Sequence, residues 1–349
     1  MKKTILFIAV VLLLLLPTVS KAQNYLVYAV GFYNQENLFD TCHDEGKNDY
    51  DFLPTGSYRW NGLKYSHKLR NMARAIADLG TDVLPGVGCA VVGLSEVENA
   101  KVLDDLTSQP VLAERGYKYV HVEGPDRRGI DCALLYNPTL FTVEDVNLFP
   151  YTPEEEKDSA FLTRGFLTVK GTLGGDPVAV IVCHWPSRYS TSYYREVAAR
   201  QVKAIKDALL AENPARKVMV MGDMNDDPTN ASMTEGLRAK ATIDEVGDGD
   251  MYNPWYNLLV KEGRGTLSYN GSWNLFDQIV MTPNMLNKKG EKDYSSLKFW
   301  KNQIQNRPYL FQEEGRYKGQ PKRTTASGIW LDGYSDHLPV VVYLVKAQQ

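Results

Sequence analysis

The sequence predicts an α/β protein with mixed sheets, and three observations lead to that class. Short runs rich in β-branched and aromatic residues are typical of strands, and they alternate with amphipathic segments typical of helices. Residues 166–170 and 178–183 form two such runs joined through Gly171 to Pro177, which predicts a hairpin. Hydrophobic residues make up 44% of the chain, enough to bury the core of one layered domain.

Nine runs carry the strand pattern along the chain. They are residues 25–33, 91–94, 117–122, 131–136, 166–170, 178–183, 218–222, 275–281 and 338–345. Three helices are predicted: one that presents an apolar face between Leu69 and Leu79 and ends at Gly80, one that carries Val102 to Leu106, and one over 193–210. The polar stretch 283–334 has no clear pattern, and we interpret it as an insertion or lid.

The amino-terminal segment 1–22 has the features of a signal peptide. Lys2 and Lys3 precede an apolar run over 5–16, and the small residues Ser20 and Ala22 fit cleavage before Gln23. No later apolar run approaches the length that spans a bilayer. We therefore predict a secreted or periplasmic protein without a membrane anchor, with a single domain over 23–349.

Net charge limits the partners that the chain can bind. It is −3 for the whole sequence, and without Lys2, Lys3 and Lys21 the 36 basic residues face 42 acids. A mildly acidic protein is not a general binder of polyanions, so contact with nucleic acid requires a local basic groove. Nothing in the sequence indicates a protein partner, and we expect a monomer.

The four cysteines are an even number in a chain predicted to be exported, which permits disulfides. Their spacing matches no zinc or redox motif. Buried free thiols and one bridge are both consistent with the sequence. The residues concerned are Cys42, Cys89, Cys132 and Cys183.

Polar side chains follow or precede several of the predicted strands. The buried run 218–222 stops at Asp223, and an unpaired charge there would be costly to bury, so this carboxylate should face a cleft, a metal or a cationic partner. The other residues in this position are Asn34, Glu36, Glu96, His184, Asn225, Asp336 and His337, and Asp277 is the only charged member of its strand. Oxygen ligands without clustered cysteine or histidine suit Mg²⁺, Mn²⁺ or Ca²⁺ better than zinc. A metal, a base for water and an acid for the leaving oxygen are what phosphoester hydrolysis requires.

Each of these residues alone also has a structural explanation. Glu96 can be an acid at a helix N-terminus, favoured by the helix dipole. Asp223, Asn225 and Asn34 can serve turns, and His184 can be a packing residue. These explanations do not account for five strands that end in the same way, so we expect the side chains to converge on one rim.

The motifs at these positions resemble the endonuclease/exonuclease/phosphatase superfamily, whose fold is that of deoxyribonuclease I. They are NQENLFD, GLSEVEN, RRGIDCALLYNP, CHWPSR, GDMND, WNLFDQIV and YSDHLPV, spread from about residue 30 to 343. The resemblance implies a four-layer sandwich of two mixed β-sheets flanked by helices, with one divalent-metal hydrolytic site at the rim. The motifs NQENLFD and CHWPSR resemble those of a secreted bacterial branch of this superfamily.

The resemblance also implies roles for the acidic residues. Glu36 and Glu96 are expected as metal ligands, with Mg²⁺ as the preferred ion and Mn²⁺ or Ca²⁺ as alternatives. Asp336 is expected to support the metal or its water. Asp223 is expected to orient or deprotonate the attacking water.

The remaining catalytic roles fall on amides and histidines. Asn34 and Asn225 are expected to hold phosphate oxygens, and His184 is expected near the leaving oxygen as an acid or a phosphate donor. His337 is expected to donate to the phosphate as an imidazolium, oriented by Asp277. Whether Asp223 or the His337/Asp277 pair is the base stays open at this stage.

Arginines in or near the same loops can bind substrate phosphates bidentately. They are Arg127, Arg128 and Arg188, together with Arg164 and Arg323. We therefore predict an exported, divalent-metal-dependent phosphodiester hydrolase, a nuclease on DNA or RNA. The alternatives are a phosphatase or a phospholipase C or sphingomyelinase-like enzyme on a small or lipid phosphoester, and a catalytically inactive binding module.

Overall fold

The computed structural model describes residues 24–326 and 328–348. The predicted signal peptide, 1–22, lies outside the described residues. Two large mixed sheets face each other and helices cover their outer sides. The predicted four-layer sandwich is confirmed.

The strands are numbered β1 to β17 in chain order within the described residues. They are Tyr25–Leu38, Cys89–Val97, Lys118–His121, Asp131–Tyr136, Phe141–Phe149, Phe166–Leu173, Asp176–His184, Lys217–Asp223, Ala239–Lys240, Met251–Tyr252, Leu267–Tyr269, Ser272–Asn274, Asp277–Met281, Lys298–Ile304, Thr325–Ala326, Ile329–Trp330 and Val340–Ala347. The helices α1 to α5 are Gly62–Asp78, Ala100–Thr107, Pro110–Ala113, Ser192–Glu212 and Tyr256–Glu262. Shorter helical turns lie at Tyr50–Phe52, Glu156–Asp158, Ser232–Gly236, Ile243–Glu245, Pro283–Met285 and Pro308–Leu310.

The two large sheets have six and seven strands. Their orders are β14-β17-β1-β2-β4-β3 and β5-β6-β7-β8-β13-β10-β9. The pairs β1/β2, β7/β8 and β9/β10 are parallel, and the other pairs in these sheets are antiparallel. Because β7 and β8 run side by side in the same direction, their carboxyl ends meet at one edge.

Strand β7 shows how a fully buried strand joins two layers. Val178, Val180 and Val182 belong to the core shared with the six-stranded sheet, whereas Ala179 and Ile181 pack in a second core with helix α4. Successive side chains of a strand point to opposite faces, so an apolar run without polar interruption is required here.

The two sheets approach each other closely near the centre of the core. A Cβ atom at Gly93 in β2 would lie 2.5 Å from Sδ of Met221 in β8. A larger residue at 93 would have to displace the side chain of Met221, so Gly93 allows β2 and β8 of the two sheets to approach each other closely.

Part of the stretch 283–334, which the sequence predicts as an insertion or lid, forms a strand of the six-stranded sheet. Lys298–Ile304 forms the edge strand β14 and pairs antiparallel with β17. Its aromatic residues Phe299 and Trp300 are adjacent and three polar residues follow them, so the run lacks the alternation that predicts a strand. Later in the same stretch, Thr324 and Tyr334 lie beside the site described below, where the buried Nζ of Lys68 donates to the hydroxyl of Thr324 and the carbonyl of Tyr334.

Strand β5 was also missed by the sequence analysis. Phe141–Phe149 is an edge strand that pairs antiparallel with β6, and most of its side chains are partly or fully exposed. An edge position needs no continuous apolar run, so the sequence gives little indication of it.

The cysteines form no disulfide among the described residues. Cys89, Cys132 and Cys183 are buried free thiols, and Cys42 is exposed. In the same part of the chain, no helix has both the length and the apolar character that a bilayer span requires.

Candidate active site

Three titratable side chains stand at the ends of adjacent strands in the seven-stranded sheet. His184 of β7 is the register partner of Asp223 in β8, and Asp223 is the partner of Asp277 in β13. Each lies two positions from a residue of the core between the sheets, so all three lie on the face turned toward the other sheet.

The six-stranded sheet contributes polar residues at two irregular strand ends. The pairing of β1 with β2 shifts register between Asn34 and Leu38, and the pairing of β2 with β4 shifts around Glu96. Glu36, Asn37 and Glu96 have φ values of 45°, 55° and 60°, a left-handed conformation that is rare outside glycine. Bulges of this kind redirect side chains next to functional sites.

The carboxylate of Asp223 is the common contact of this cluster. Its Oδ2 atom accepts a hydrogen bond of 3.0 Å from Nδ2 of Asn34. It also lies 3.7 Å from Nε2 of His184 and 3.8 Å from Nε2 of His337. The structure therefore brings together four of the residues that the sequence predicts for catalysis and phosphate binding.

Burial sets the protonation of Asp223. Removal from water raises the pKa of Asp223 to about 7; His337 opposes that shift, and the nearby carboxylate of Asp277 adds to it. A carboxylate with a pKa near neutrality can take a proton from water far more readily than an ordinary aspartate.

His337 is held by Asp277 from the opposite sheet. Nδ1 of His337 lies 2.7 Å from Oδ2 of Asp277, and Asp277 is fully buried. Burial disfavours the imidazolium, but Asp277 and Asp223 outweigh it and raise the pKa of His337 well above its ordinary value. His337 is therefore suited to donate a proton or a hydrogen bond from Nε2.

His184 has the opposite electrostatic character. Burial lowers the pKa of His184 well below its ordinary value, and the positive charges of Arg164 and Arg128 lower it further. Its Nε2 atom lies 3.8 Å from Oε1 of Glu96. A neutral imidazole favours the predicted role of hydrogen-bond donor over that of general acid.

The two asparagines of the site also form local turns. The backbone N–H of Glu36 donates to Oδ1 of Asn34 at 2.8 Å, and that of Asn225 donates to Oδ1 of Asp223 at 2.9 Å. Nδ2 of Asn225 donates to the carbonyl of Trp185 at 2.9 Å. These asparagines therefore both stabilise turns and lie at the candidate site. Phosphate binding by Asn225 remains a prediction.

Arg323 occupies the space between two of the predicted metal ligands. Its Nε atom lies 3.3 Å from Oε1 of Glu36, and its Nη2 atom lies 2.8 Å from Oδ2 of Asp336. The backbone N–H of Thr324 donates to Oε2 of Glu36 at 2.6 Å. Burial and Asp336 raise the pKa of Glu36 to about 7, although Lys68 and Arg323 oppose the shift.

Among the residues that the structure describes, none gives Glu96 a cationic hydrogen-bond partner of this kind. Its Oε2 atom accepts from the backbone N–H of Asn37 at 2.8 Å, and its Oε1 atom lies 3.4 Å from Nδ2 of Asn34. Helix α2 is capped by Asn99, which accepts from the N–H of Val102. Asn99, and not Glu96, therefore caps this helix, so the structural explanation offered for Glu96 from the sequence does not hold.

The chemistry of the donors fits a divalent cation of the hard type. Glu36, Glu96 and Asp336 supply carboxylate oxygens at one rim, and a guanidinium already bridges two of them. Within residues 24–326 and 328–348, no three acidic, histidine or cysteine side chains are already arranged around one ion position. The predicted ligand set is therefore not preformed, and it remains a prediction.

The arginines predicted to bind substrate differ in position. Nη1 of Arg128 lies 3.4 Å from Oδ1 of Asn37, beside the cluster. Arg127 is exposed and donates to the carbonyl of Ala160. Arg188 forms an ion pair of 3.0 Å with Asp227 and lies over the ring of Phe276, so its side chain is used to hold the loop after β8.

A cavity of about 870 Å³ opens beside the carboxylates. Glu36, Arg323 and Asp336 line it, together with residues of the hairpin β11–β12 and of the stretch after β14. No sequence pattern predicts this cavity, because its walls come from segments without strong hydrophobic periodicity. The pairing of Arg323 with two acids also had no sequence signature.

Comparison with protein families gives one match over most of the chain. A family model described as the endonuclease/exonuclease/phosphatase family matches residues 29–346. A comparison with curated proteins gives no match.

Solved structures share the fold at low sequence identity. A family protein from Bacteroides thetaiotaomicron is 16% identical, with 93% of this chain and 97% of that chain covered and a TM-score of 0.56. A mannosyl-6-phosphatase from the same species is 17% identical, with coverages of 91% and 99% and a TM-score of 0.56. TDP2 from D. rerio, complexed with a single-strand DNA product, is 14% identical, with coverages of 91% and 98% and a TM-score of 0.53.

Proposed function

Because the chain belongs to the endonuclease/exonuclease/phosphatase family, we propose that it is a divalent-metal-dependent phosphodiester hydrolase that acts on DNA or RNA. The observation that carries the proposal is the shared contact of one carboxylate oxygen of Asp223 with Asn34, His184 and His337. An acid with a pKa near 7 beside three hydrogen-bonding groups is suited to activate water next to a phosphate.

The proposed roles follow from the side-chain environments. Asp223 accepts the proton of the attacking water, and Asn34 orients the Asp223 carboxylate. His337, held as an imidazolium by Asp277, donates to a phosphoryl oxygen and stabilises the charge that develops there. Neutral His184 donates a hydrogen bond on the side of the leaving oxygen.

The proposed metal is Mg²⁺, held by carboxylates of Glu36, Glu96 and Asp336. When bound, it would offset the negative charge on the phosphoryl oxygens. Two of these three carboxylates pair with Arg323, whose guanidinium would also be placed to bind a phosphate oxygen of the substrate.

A second candidate function is hydrolysis of a small phosphoester, as in a phosphatase or a phospholipase C-like enzyme. The cavity of about 870 Å³ favours it, because that volume is typical of small-molecule pockets. The acidic net charge of −3 also argues against an extended polyanion site. An inactive binding module is disfavoured by the complete set of catalytic groups around Asp223.

One assay separates these candidates. The purified protein from residue 23 onward is incubated with Mg²⁺ and plasmid DNA, RNA, bis(p-nitrophenyl) phosphate or p-nitrophenyl phosphate, with EDTA as the control. The proposal predicts cleavage of nucleic acid and of the diester that is lost in EDTA and in His337→Ala. Turnover of the monoester alone would support a phosphatase, and no turnover with Mg²⁺, Mn²⁺ or Ca²⁺ would support the binding module.

We also propose that the protein is exported, with residues 1–22 removed as a signal peptide. The basic start, apolar run and small residues before Gln23 support this proposal. Amino-terminal sequencing of the protein from its native cells should begin at Gln23. An amino terminus at Met1 would contradict it.

A further inference from the structure

The cavity beside the carboxylates extends the candidate active site in one direction. Glu36, Arg323 and Asp336 line it and also belong to the carboxylate rim. A substrate whose phosphate lies at this rim can therefore place its adjoining group in the cavity. The volume of about 870 Å³ suits a group of small-molecule size.

Three tyrosine rings contribute apolar surface to the cavity walls, beside the aliphatic side chains of Ile329 and Leu331. Tyr58, Tyr269 and Tyr317 line it, and Tyr269 and Tyr317 are 70% and 49% exposed. Tyr269 projects from the small hairpin β11–β12, and Tyr317 belongs to the stretch after β14. Exposed rings on two separate segments offer faces on which a planar ring can stack.

The same walls supply hydrogen-bonding groups and a second cation. Asn270, Gln312 and Gln320 line the cavity with amides, which can donate to and accept from the edge of a base. Arg316 also lines it, and its guanidinium lies 5.7 Å from the ring centre of Tyr317. Arg316 and Arg323 thus provide positive charge at separate points of one cavity.

On the basis of the phosphodiesterase function proposed above, we propose that this cavity binds the nucleoside of one unpaired nucleotide next to the scissile phosphate. The enzyme then acts on single-stranded nucleic acid in preference to duplex. Bases in a duplex are stacked on their neighbours, so a ring face reaches Tyr269 or Tyr317 only after the nucleotide is flipped out at a cost in free energy.

Other occupants fit the walls less well. An acyl chain requires a continuous apolar wall, whereas here carboxylates, guanidinium groups and amides alternate with the rings. A phosphate group alone would leave most of the volume unfilled. A hexose can use the same rings and amides, and the experiment below includes it as an outcome that overturns the proposal.

The experiment compares three esters with the same leaving group in the presence of Mg²⁺. They are thymidine 5′-(p-nitrophenyl phosphate), methyl p-nitrophenyl phosphate and hexose 6-(p-nitrophenyl phosphate). The proposal predicts a kcat/KM at least about tenfold higher for the thymidine ester than for the methyl ester, as expected for stacking of one base. The ratio of kcat/KM for the thymidine ester to that for the methyl ester should fall toward one in Tyr269→Ala and Tyr317→Ala. The ratio should stay as in wild type in Tyr269→Phe and Tyr317→Phe, which keep the aromatic ring.

A matched control and a strand comparison complete the test. Tyr189→Ala removes a fully exposed tyrosine that does not line the cavity, and it should leave the ratio unchanged. An oligonucleotide should be cleaved at least about tenfold faster as a single strand than as the same sequence in a duplex.

The outcomes separate the two proposals. Equal rates for the thymidine and methyl esters, a preference for the hexose ester, or equal cleavage of single strand and duplex would overturn the cavity assignment while leaving the phosphodiesterase proposal intact. Failure to hydrolyse any of the esters would overturn the phosphodiesterase proposal itself.

Discussion

Nδ1 of His337 lies 2.7 Å from Oδ2 of Asp277, and this contact joins the two sheets of the sandwich. His337 precedes β17 of the six-stranded sheet, whereas Asp277 begins β13 of the seven-stranded sheet. The contact directs Nε2 of His337 toward Asp223, at 3.8 Å. The site therefore depends on correct packing of the two sheets against each other.

The first prediction concerns this pair. Asp277→Asn removes the charge that raises the pKa of His337, so His337 should lose its proton at a lower pH and the rate should fall by at least about 100-fold. The loss should appear in kcat more than in KM, and NMR titration of His337 should show the lowered pKa.

The control for the pair is Asp145→Asn, which changes a partly exposed acid on the edge strand β5 that pairs with Lys170. It should retain the wild-type rate. A folded Asp277→Asn protein with an unchanged His337 pKa would contradict the assignment of Asp277 as the residue that positions and charges His337.

The second prediction separates metal binding from substrate binding. Glu96 and Arg128 both contact Asn37, through its backbone N–H and its side chain respectively. Glu96→Gln should raise the Mg²⁺ concentration for half-maximal activity by at least about tenfold, as loss of a metal-supporting group does. Arg128→Ala should raise KM for the substrate with little change in the Mg²⁺ requirement, and equal effects of both variants on that requirement would count against Glu96 as a ligand.

The third prediction treats Arg323 as a competitor of the metal. Its guanidinium pairs with Glu36 and Asp336, so Arg323→Gln removes a positive charge that would repel a divalent cation at these carboxylates. Calorimetric titration of the substrate-free protein should show tighter Mg²⁺ binding for Arg323→Gln than for wild type. Arg316→Gln, in the same cavity but without these ion pairs, should bind Mg²⁺ like wild type; weaker or unchanged binding by Arg323→Gln would refute the competition.

The fourth prediction concerns pH and Glu98, a buried acid two residues after Glu96 to which no catalytic role is assigned. Burial raises the pKa of Glu98 from 4.5 to about 8, and the carboxylates of Asp40, Asp44 and Asp49 add to the shift, although the N–H of Asp40 opposes it. Between these values the folded protein keeps a proton that the unfolded chain has lost, so this group lowers the stability of the fold as pH rises from about 4.5 to 8.

Glu98→Gln cannot ionise and should escape that loss. The difference in unfolding free energy between Glu98→Gln and wild type should therefore grow in favour of the variant from pH 5 to pH 8. Urea unfolding in metal-free buffer measures it, with the exposed Glu114→Gln as control. A difference that is the same at both pH values would show that Glu98 is ionised in the folded protein.

Much of the fold follows from local sequence patterns. The runs before Asp223 and His184 are buried on both faces, so they have to be apolar without interruption, and that pattern predicts central strands. A charged residue at the end of such a strand would be costly to bury without a partner, so polar residues in this position predict a site at the rim of the sheets. The edge strands β5 and β14 lack this constraint, and the sequence analysis missed both.

Other features depend on contacts between distant segments. The left-handed conformations of Glu36 and Glu96 arise where the paired strands shift register. A glutamate in the sequence does not by itself predict such a conformation. The pairing of Arg323 with Glu36 spans 287 positions of the chain, and the use of Arg188 to hold Asp227 arises from the loop after β8. Such pairings are decided by tertiary packing, which single-sequence patterns do not encode.

The measurement that tests the central claim most directly is the hydrolysis of bis(p-nitrophenyl) phosphate by Asp223→Asn at saturating Mg²⁺. Asp227→Asn is the matched control, because it changes an acid in the same loop that pairs with Arg188 and not with the catalytic groups. We predict that Asp223→Asn loses at least about 100-fold in kcat while Asp227→Asn remains within a few-fold of wild type. A folded Asp223→Asn enzyme with a kcat close to that of wild type would contradict the account.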